Sequence, residues 1–205
     1  GAVGAGQLFA LSGNLHMIGQ ADGNGFSGGL SVGSGHEAFI EGFDFEFAAG
    51  STVTLVEGGT IRSDVHQTFA GTLNVFQLPG HIRADASFIT GSTSTLSADL
   101  RLHGDTVIQQ GAPFTGTGDL YSQSTGVLTM KDGSAVDVNL FVLGDLIVED
   151  TGIGHASVNA DASLNALAAF QLAGNTTDLY DRFLVADTLT VRSVLFDVDL
   201  LGYDP

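Results

Sequence analysis

The chain contains no cysteine. That removes a disulfide framework, a thiolate metal site and a cysteine nucleophile together, and such usage is shared by many bacterial exported proteins. Proline is nearly as scarce, with 3 in 205 residues, and the one lysine is Lys131. Only 6 basic residues stand against 23 acidic ones, a net charge of −17. A surface of that sign repels phosphate backbones and anionic lipid, so nucleic acid is not an expected partner. No apolar run approaches the ~18 residues of a spanning helix, and no membrane insertion of this segment is expected. The N-terminal Gly1-Ala2-Val3-Gly4-Ala5-Gly6 lacks the basic n-region of a secretory leader; a leader has either been removed or was never present.

What is present is the composition of a β protein. The 29 glycines supply tight corners, and Val, Thr, Leu and Phe fill strands. A hydrophobic fraction of 43% excludes a disordered chain despite the charge. The length is enough for a sizeable core.

The sequence also repeats. Gly59-Thr60-Ile61-Arg62-Ser63-Asp64 returns as Gly80-His81-Ile82-Arg83-Ala84-Asp85, and more loosely as Leu102-His103-Gly104-Asp105. The aspartate comb reaches back to Asp44 and Asp22 and forward, past Thr125, to Asp145. A second series runs beside it: Thr52-Val53-Thr54-Leu55, Thr72-Leu73-Asn74-Val75 and Thr93-Ser94-Thr95-Leu96. Each alternates polar and apolar residues, the period of a strand with one buried face. A unit of about 20 residues holding at least two short strands, with no helical period, is one coil of a stacked solenoid.

The expected fold is therefore all-β: a parallel β-helix with coils of about 20–22 residues, right-handed. One domain is expected over 1–205, less regular in 1–50, with its clearest repeats in 51–145 and its C-terminal coils in 146–205. Val53, Leu55, Ile61, Leu73, Val75, Ile82, Leu96, Leu100 and Leu102 are expected to point inward. Regularity decays after Asp105. Val136 to Leu143 reads as one apolar-rich strand, Ala162 to Leu172 as another that alternates through Leu164, Ala166, Ala168, Phe170 and Leu172 to a turn at Gly174-Asn175, and Val194 to Leu201 as the last.

Several constellations bear on chemistry. Asp64, Asp85 and Asp105 stack one coil apart. They are weak candidates for structural calcium, which takes six to eight oxygen ligands, or for a paired-carboxylate glycosidase site; against both stands the reading that a corner aspartate caps its turn. No other cofactor is expected. The six histidines, 16, 36, 66, 81, 103 and 155, show no pairing motif, and the 15- and 22-residue gaps among His66, His81 and His103 do not require a shared face. Arg62 and Arg83 precede Asp64 and Asp85 by two residues and would form an outward ion-pair grid worth ~0–1 kcal/mol per pair. The outward Thr52, Thr54, Thr72, Asn74, Thr93 and Thr95 would form one flat face, suited to packing against a neighbouring subunit or to a carbohydrate- or ice-binding role.

The C-terminal third resembles a known family. The run Leu164-Asn165-Ala166-Leu167-Ala168-Ala169-Phe170-Gln171-Leu172-Ala173-Gly174-Asn175-Thr176-Thr177, then Tyr180-Asp181-Arg182-Phe183-Leu184-Val185, Leu189-Thr190-Val191 and Leu195-Phe196-Asp197-Val198, is similar to segments of bacterial autotransporter passengers and related exported β-helix proteins. The resemblance covers about 145–201 and implies a β-solenoid exported to the bacterial cell surface. It implies little about activity, since that family includes adhesins and anchored surface proteins.

The functional expectation is a secreted structural or surface protein, not an enzyme. Its partners are other copies of itself, joined into a filament, tube or layer through open coil ends or strand addition. Val194, Phe196, Val198 and Leu200 in the last apolar strand, with the threonine face, are the expected assembly residues. An adhesin or a carbohydrate- or ice-binding module is the alternative, and a polysaccharide-degrading β-helix enzyme ranks third.

Overall fold

Alternation with period two leaves each strand one apolar face, and a strand of two to six residues cannot bury that face alone. The computed structural model shows how this chain does it, describing residues 8–11, 13–18, 25–33, 35–42, 44–149, 153–172 and 180–200. Those residues form no helix; they form three parallel sheets of nine strands each, in which every third strand returns to the same sheet.

Sheet A contains Leu8–Leu11, Gly29–Val32, Thr52–Val56, Thr72–Phe76, Thr93–Leu96, Phe114–Gly116, Ala135–Val136, His155–Val158 and Arg182–Val185. Sheet B contains Leu15–Ile18, Glu37–Glu41, Thr60–Ser63, Gly80–Arg83, Leu100–Leu102, Leu120–Ser122, Leu140–Val142, Ala162–Leu164 and Leu189–Val191. Sheet C contains Gly25–Phe26, Phe45–Phe47, Gln67–Phe69, Ala86–Phe88, Thr106–Ile108, Val127–Met130, Asp145–Val148, Leu167–Leu172 and Leu195–Leu200. The chain is a β-solenoid.

Registers confirm the repeat residue by residue. Thr52, Thr72 and Thr93 are paired in one row, and Ile61 with Ile82 and then Leu102 in another. All nine expected inward residues are buried. Along sheet C the inward row runs Phe26, Phe47, Phe69, Phe88, Ile108, Met130 and Val148. Phe47 stacks on Phe69 with centroids 4.8 Å apart, and Phe69 on Phe88 at 4.9 Å. Stacking at the strand spacing of ~4.8 Å makes such a column of rings automatic once like residues share a register.

Each coil holds three strands, in keeping with the expected minimum of two. Three sequence expectations need correction. The regular stack does not stop after Asp105: Phe114 pairs with Ser94 and Val136 with Phe114. Ala162 to Leu172 is not one strand but two on different sheets, because the chain turns at Asn165-Ala166, where the Asn165 N–H donates to the Val142 carbonyl (3.0 Å). Likewise Val136 and Leu140–Val142 lie on different sheets, with buried Val138 at the corner between them. The expected turn at Gly174-Asn175, together with Leu201, Asp22 and the N-terminal glycine-rich segment, lies outside the described residues.

At the corner between sheets B and C, the backbones of successive coils nearly touch. A Cβ on Gly104 would lie 2.4 Å from the Ala84 carbonyl oxygen, one on Gly126 2.3 Å from that of Gly104, and one on Gly144 2.1 Å from that of Gly126. The glycines are there because nothing larger fits.

Candidate functional site

The corner aspartates turn their carboxylates along the stack. The Asp105 N–H donates to Asp85 Oδ1 (2.9 Å), the Val127 N–H to Asp105 Oδ1 (2.9 Å), and the Leu167 N–H to Asp145 Oδ1 (3.2 Å). Each carboxylate thus satisfies a backbone donor on the coil above, at a corner where the ladder is interrupted. A second ladder follows the corner between sheets A and B. There the Asp119 N–H donates to Asp99 (3.3 Å), the Asn139 side-chain amide to Asp119 (3.0 Å), and the N–H groups of Asp161 and Thr188 to Asn139 (3.3 Å) and Asp161 (2.8 Å). These columns account for aspartates that occur singly along the sequence. Asp64, Asp85 and Asp105 occupy the corner as expected, and among the described residues no three His, Asp or Glu side chains converge as a metal site.

The threonine face is formed on the outside of sheet A. Thr72 Oγ1 lies 3.2 Å from Thr93 Oγ1, and Thr54, Asn74, Thr95 and Thr115 share the neighbouring row. The paired row ends at Thr115: only Phe114 pairs onward, with Val136, and Gly116 takes the place of inward Leu96 at φ 122°, where a Cβ would lie 2.1 Å from the Leu96 carbonyl oxygen.

The last described coil presents apolar core positions to the outside. Leu189 and Val191 pair with buried Ala162 and Leu164, yet each is 45% exposed. Phe196 pairs with fully buried Ala168 and is 54% exposed, and Val198 is 50% exposed. Val194 precedes the strand instead of opening it and packs on the core. Leu200 ends the strand, paired with Leu172.

The expected arginine–aspartate grid is not formed. Arg62 and Arg83 are in register on sheet B, but the chain turns at Ala84, so Asp85 faces the next coil's backbone rather than Arg83. Arg62 instead pairs with Glu37 (2.9 Å) and lies over the Phe39 ring, 3.8 Å from its centroid.

The outer face of sheet B also holds a constellation that sequence spacing left apart. His81 Nδ1 and His103 Nε2 are 3.0 Å apart. The coil there is 20 residues, since Ile82 pairs with Leu102, so a gap of 22 places His103 diagonally across from His81. Arg101 sits beside His81, and Tyr121 and Phe141 follow in Arg101's row, their rings stacked at 4.7 Å. Burial, His103 and the Arg83 and Arg101 guanidiniums hold His81 below the ordinary imidazole range; burial and the same two arginines do so for His103. An open groove of ≈ 530 Å³ adjoins the pair, lined by Arg83, His103, His66, Asp64, Asp85 and Ser63 among others. The one clue in the sequence was the match between 22 residues and one coil plus two positions.

No protein-family model, no curated protein and no solved structure matches this chain. The fold therefore rests on the strand registers.

Proposed function

We propose that this chain is a structural component of a bacterial cell surface or its extracellular layer, not an enzyme, and that copies associate end to end through the coil formed by 182–200. The observation that carries this is the exposure of Leu189, Val191 and Phe196 at positions held one coil earlier by buried Ala162, Leu164 and Ala168, with exposed Val198 following partly buried Phe170. Among the described residues no further strand pairs with Arg182–Val185, Leu189–Val191 or Leu195–Leu200 on their outer side, so backbone N–H and C=O groups join that apolar surface, the combination that templates strand addition. Head-to-tail contacts of this kind are heterologous and propagate into filaments unless a rotation closes them. The exported β-helix family that 145–201 resembles is consistent with this location.

The test is assembly itself. Light scattering and electron microscopy across a concentration series should show ordered assemblies, favoured by salt that screens the acidic surfaces. Phe196→Asp with Val198→Asp should abolish them. A protein that stays monomeric throughout, with no ordered assemblies, would sink the proposal.

A second reading, an adhesin or an ice- or glycan-binding module, is favoured by the in-register hydroxyl rows of Thr52, Thr72 and Thr93 on sheet A. Ice shaping or a positive glycan array, lost on Thr72→Val with Thr93→Val, would support it over assembly.

A further inference from the structure

We propose that the outer face of sheet B, around Arg83 and Arg101, binds the carboxylate groups of an acidic oligosaccharide. This site is separate from the assembling coil and does not depend on it.

The argument starts from scarcity. The chain has six basic side chains, and three of them, Arg62, Arg83 and Arg101, fall on outward positions of three successive strands of one sheet. On a molecule of net charge −17 this is a local island of opposite sign. Arg62 is neutralised by Glu37. Arg83 and Arg101 have no ion-pair partner among the described residues, and Arg101 Nε has no hydrogen-bond acceptor. Arg101 is level with His81 and lies over the Tyr121 ring, 5.6 Å from its centroid, so it sits beside the groove, one coil (~4.8 Å) on from Arg83 and two residues back along the strand, and the pair can receive oxyanions on successive sugar residues.

The surroundings select the kind of anion. Asp64 and Asp85 line the same groove, and Asp99 and Asp119 stand at the corner on the other side of the sheet. A densely charged polyanion such as a nucleic acid strand would meet these carboxylates as well as the arginines. A sugar chain with one carboxylate per residue would not: its acid groups meet Arg83 and Arg101, while its hydroxyls donate to Asp64 and Asp85 and exchange hydrogen bonds with His66 and His103. Tyr121 and Phe141, continuing Arg101's row, stack on each other at 4.7 Å and present their ring edges as apolar surface beside it. The groove at ≈ 530 Å³ is of a size for a short oligosaccharide.

An anion seated there would also change the imidazoles. His81 is faced by Arg62, Arg83, Arg101 and His103, and His66, Asp64 and Asp85 close the groove. A bound carboxylate offsets the two free arginines, so protonation of His81 and His103 becomes easier and binding tightens as pH falls through the imidazole range.

Calorimetric titration of the full chain tests this with four probes: a homo-oligomer of galacturonate, a sulfated oligosaccharide of equal length, an uncharged oligosaccharide and a single-stranded oligonucleotide. The galacturonate oligomer should bind, more tightly at about pH 5.5 than at about pH 7.5. Arg83→Gln with Arg101→Gln should weaken it by about tenfold or more. Arg83 is exposed, so the single Arg83→Gln variant, checked by its unchanged melting curve, keeps the test valid if the double variant misfolds. The uncharged sugar should not bind. Preference for the sulfated probe, lost in the same variants, would keep the site and reassign its oxyanion, overturning the carboxylate. Binding of the oligonucleotide as tightly as the uronate, no binding of either charged sugar, or binding unaffected in the variants would overturn the proposal.

Discussion

His81 Nδ1 and His103 Nε2 lie 3.0 Å apart, so one ring donates a proton that the other accepts, and only a pair with at least one neutral imidazole does so. Both rings titrate below their ordinary value of about 6.5 because they are partly buried and next to Arg83 and Arg101. The sign of the pH effect follows. Above that value both folded and unfolded chains carry neutral imidazoles, and the full stability is present. As pH falls below it, the unfolded chain takes up protons that the folded chain still refuses, so stability declines until the lower folded values are passed. Melting temperature should therefore drop between about pH 7 and about pH 5 more steeply in the native protein than in His81→Gln with His103→Gln. Parallel curves would refute the assignment.

The corner carboxylates are stabilising caps in this account. Asp105→Ala leaves the Val127 N–H without its acceptor and should cost about 0.5–1.5 kcal/mol, while Asp105→Asn keeps an acceptor oxygen and should cost less. Chemical denaturation measures both. A chelator should leave the native midpoint unchanged; a drop restored by calcium would instead mean that Asp64, Asp85 and Asp105 hold the ion.

Phe88 lies between Phe69 and Phe114, with ring centroids 4.9 and 4.8 Å away, and is completely buried. Phe88→Ala should destabilise by about 3–5 kcal/mol. Phe88→Leu, which refills most of the space, should cost clearly less by the same denaturation measurement.

Two glycines make a matched comparison. Gly126→Ala would place a methyl 2.3 Å from the backbone oxygen of Gly104, whereas Gly25→Ala meets nothing within 4 Å. The first should cost roughly 1–3 kcal/mol or more because backbone must move, and the second should be close to neutral. Equal effects would contradict the close coil contact at this corner.

The repeat was legible where strands alternate strictly, as in Thr52 to Leu55 and Thr72 to Val75. The third strand of each coil was not. Gln67–Phe69, Ala86–Phe88 and Thr106–Ile108 are three residues long, too short for a period to register. Gln67 and Thr106 point inward and are buried, so hydropathy misleads there. Past Asp105 the comb broke because Val127, not an acid, pairs with Asp145, although the register was kept. The Ala162 to Leu172 run kept its alternation straight through the corner at Asn165-Ala166, so periodicity alone joined two strands. The arginine–aspartate grid failed for the same reason, since spacing of two means one face only while a strand continues. The histidine pair needed the exact coil length, which only the paired registers supply.

Successive strands of a sheet are separated by 18 to 23 residues over the early and middle coils, as in Val127 to Asp145 and Gly29 to Thr52. The loop closed by each new coil is therefore nearly constant, and its entropy does not grow with the length already folded. After the first coils have docked, each later one condenses on a finished edge and waits for no distant sequence. A chain delivered end first through a narrow pore can thus fold in step with its arrival, and the free energy released coil by coil opposes its slipping back.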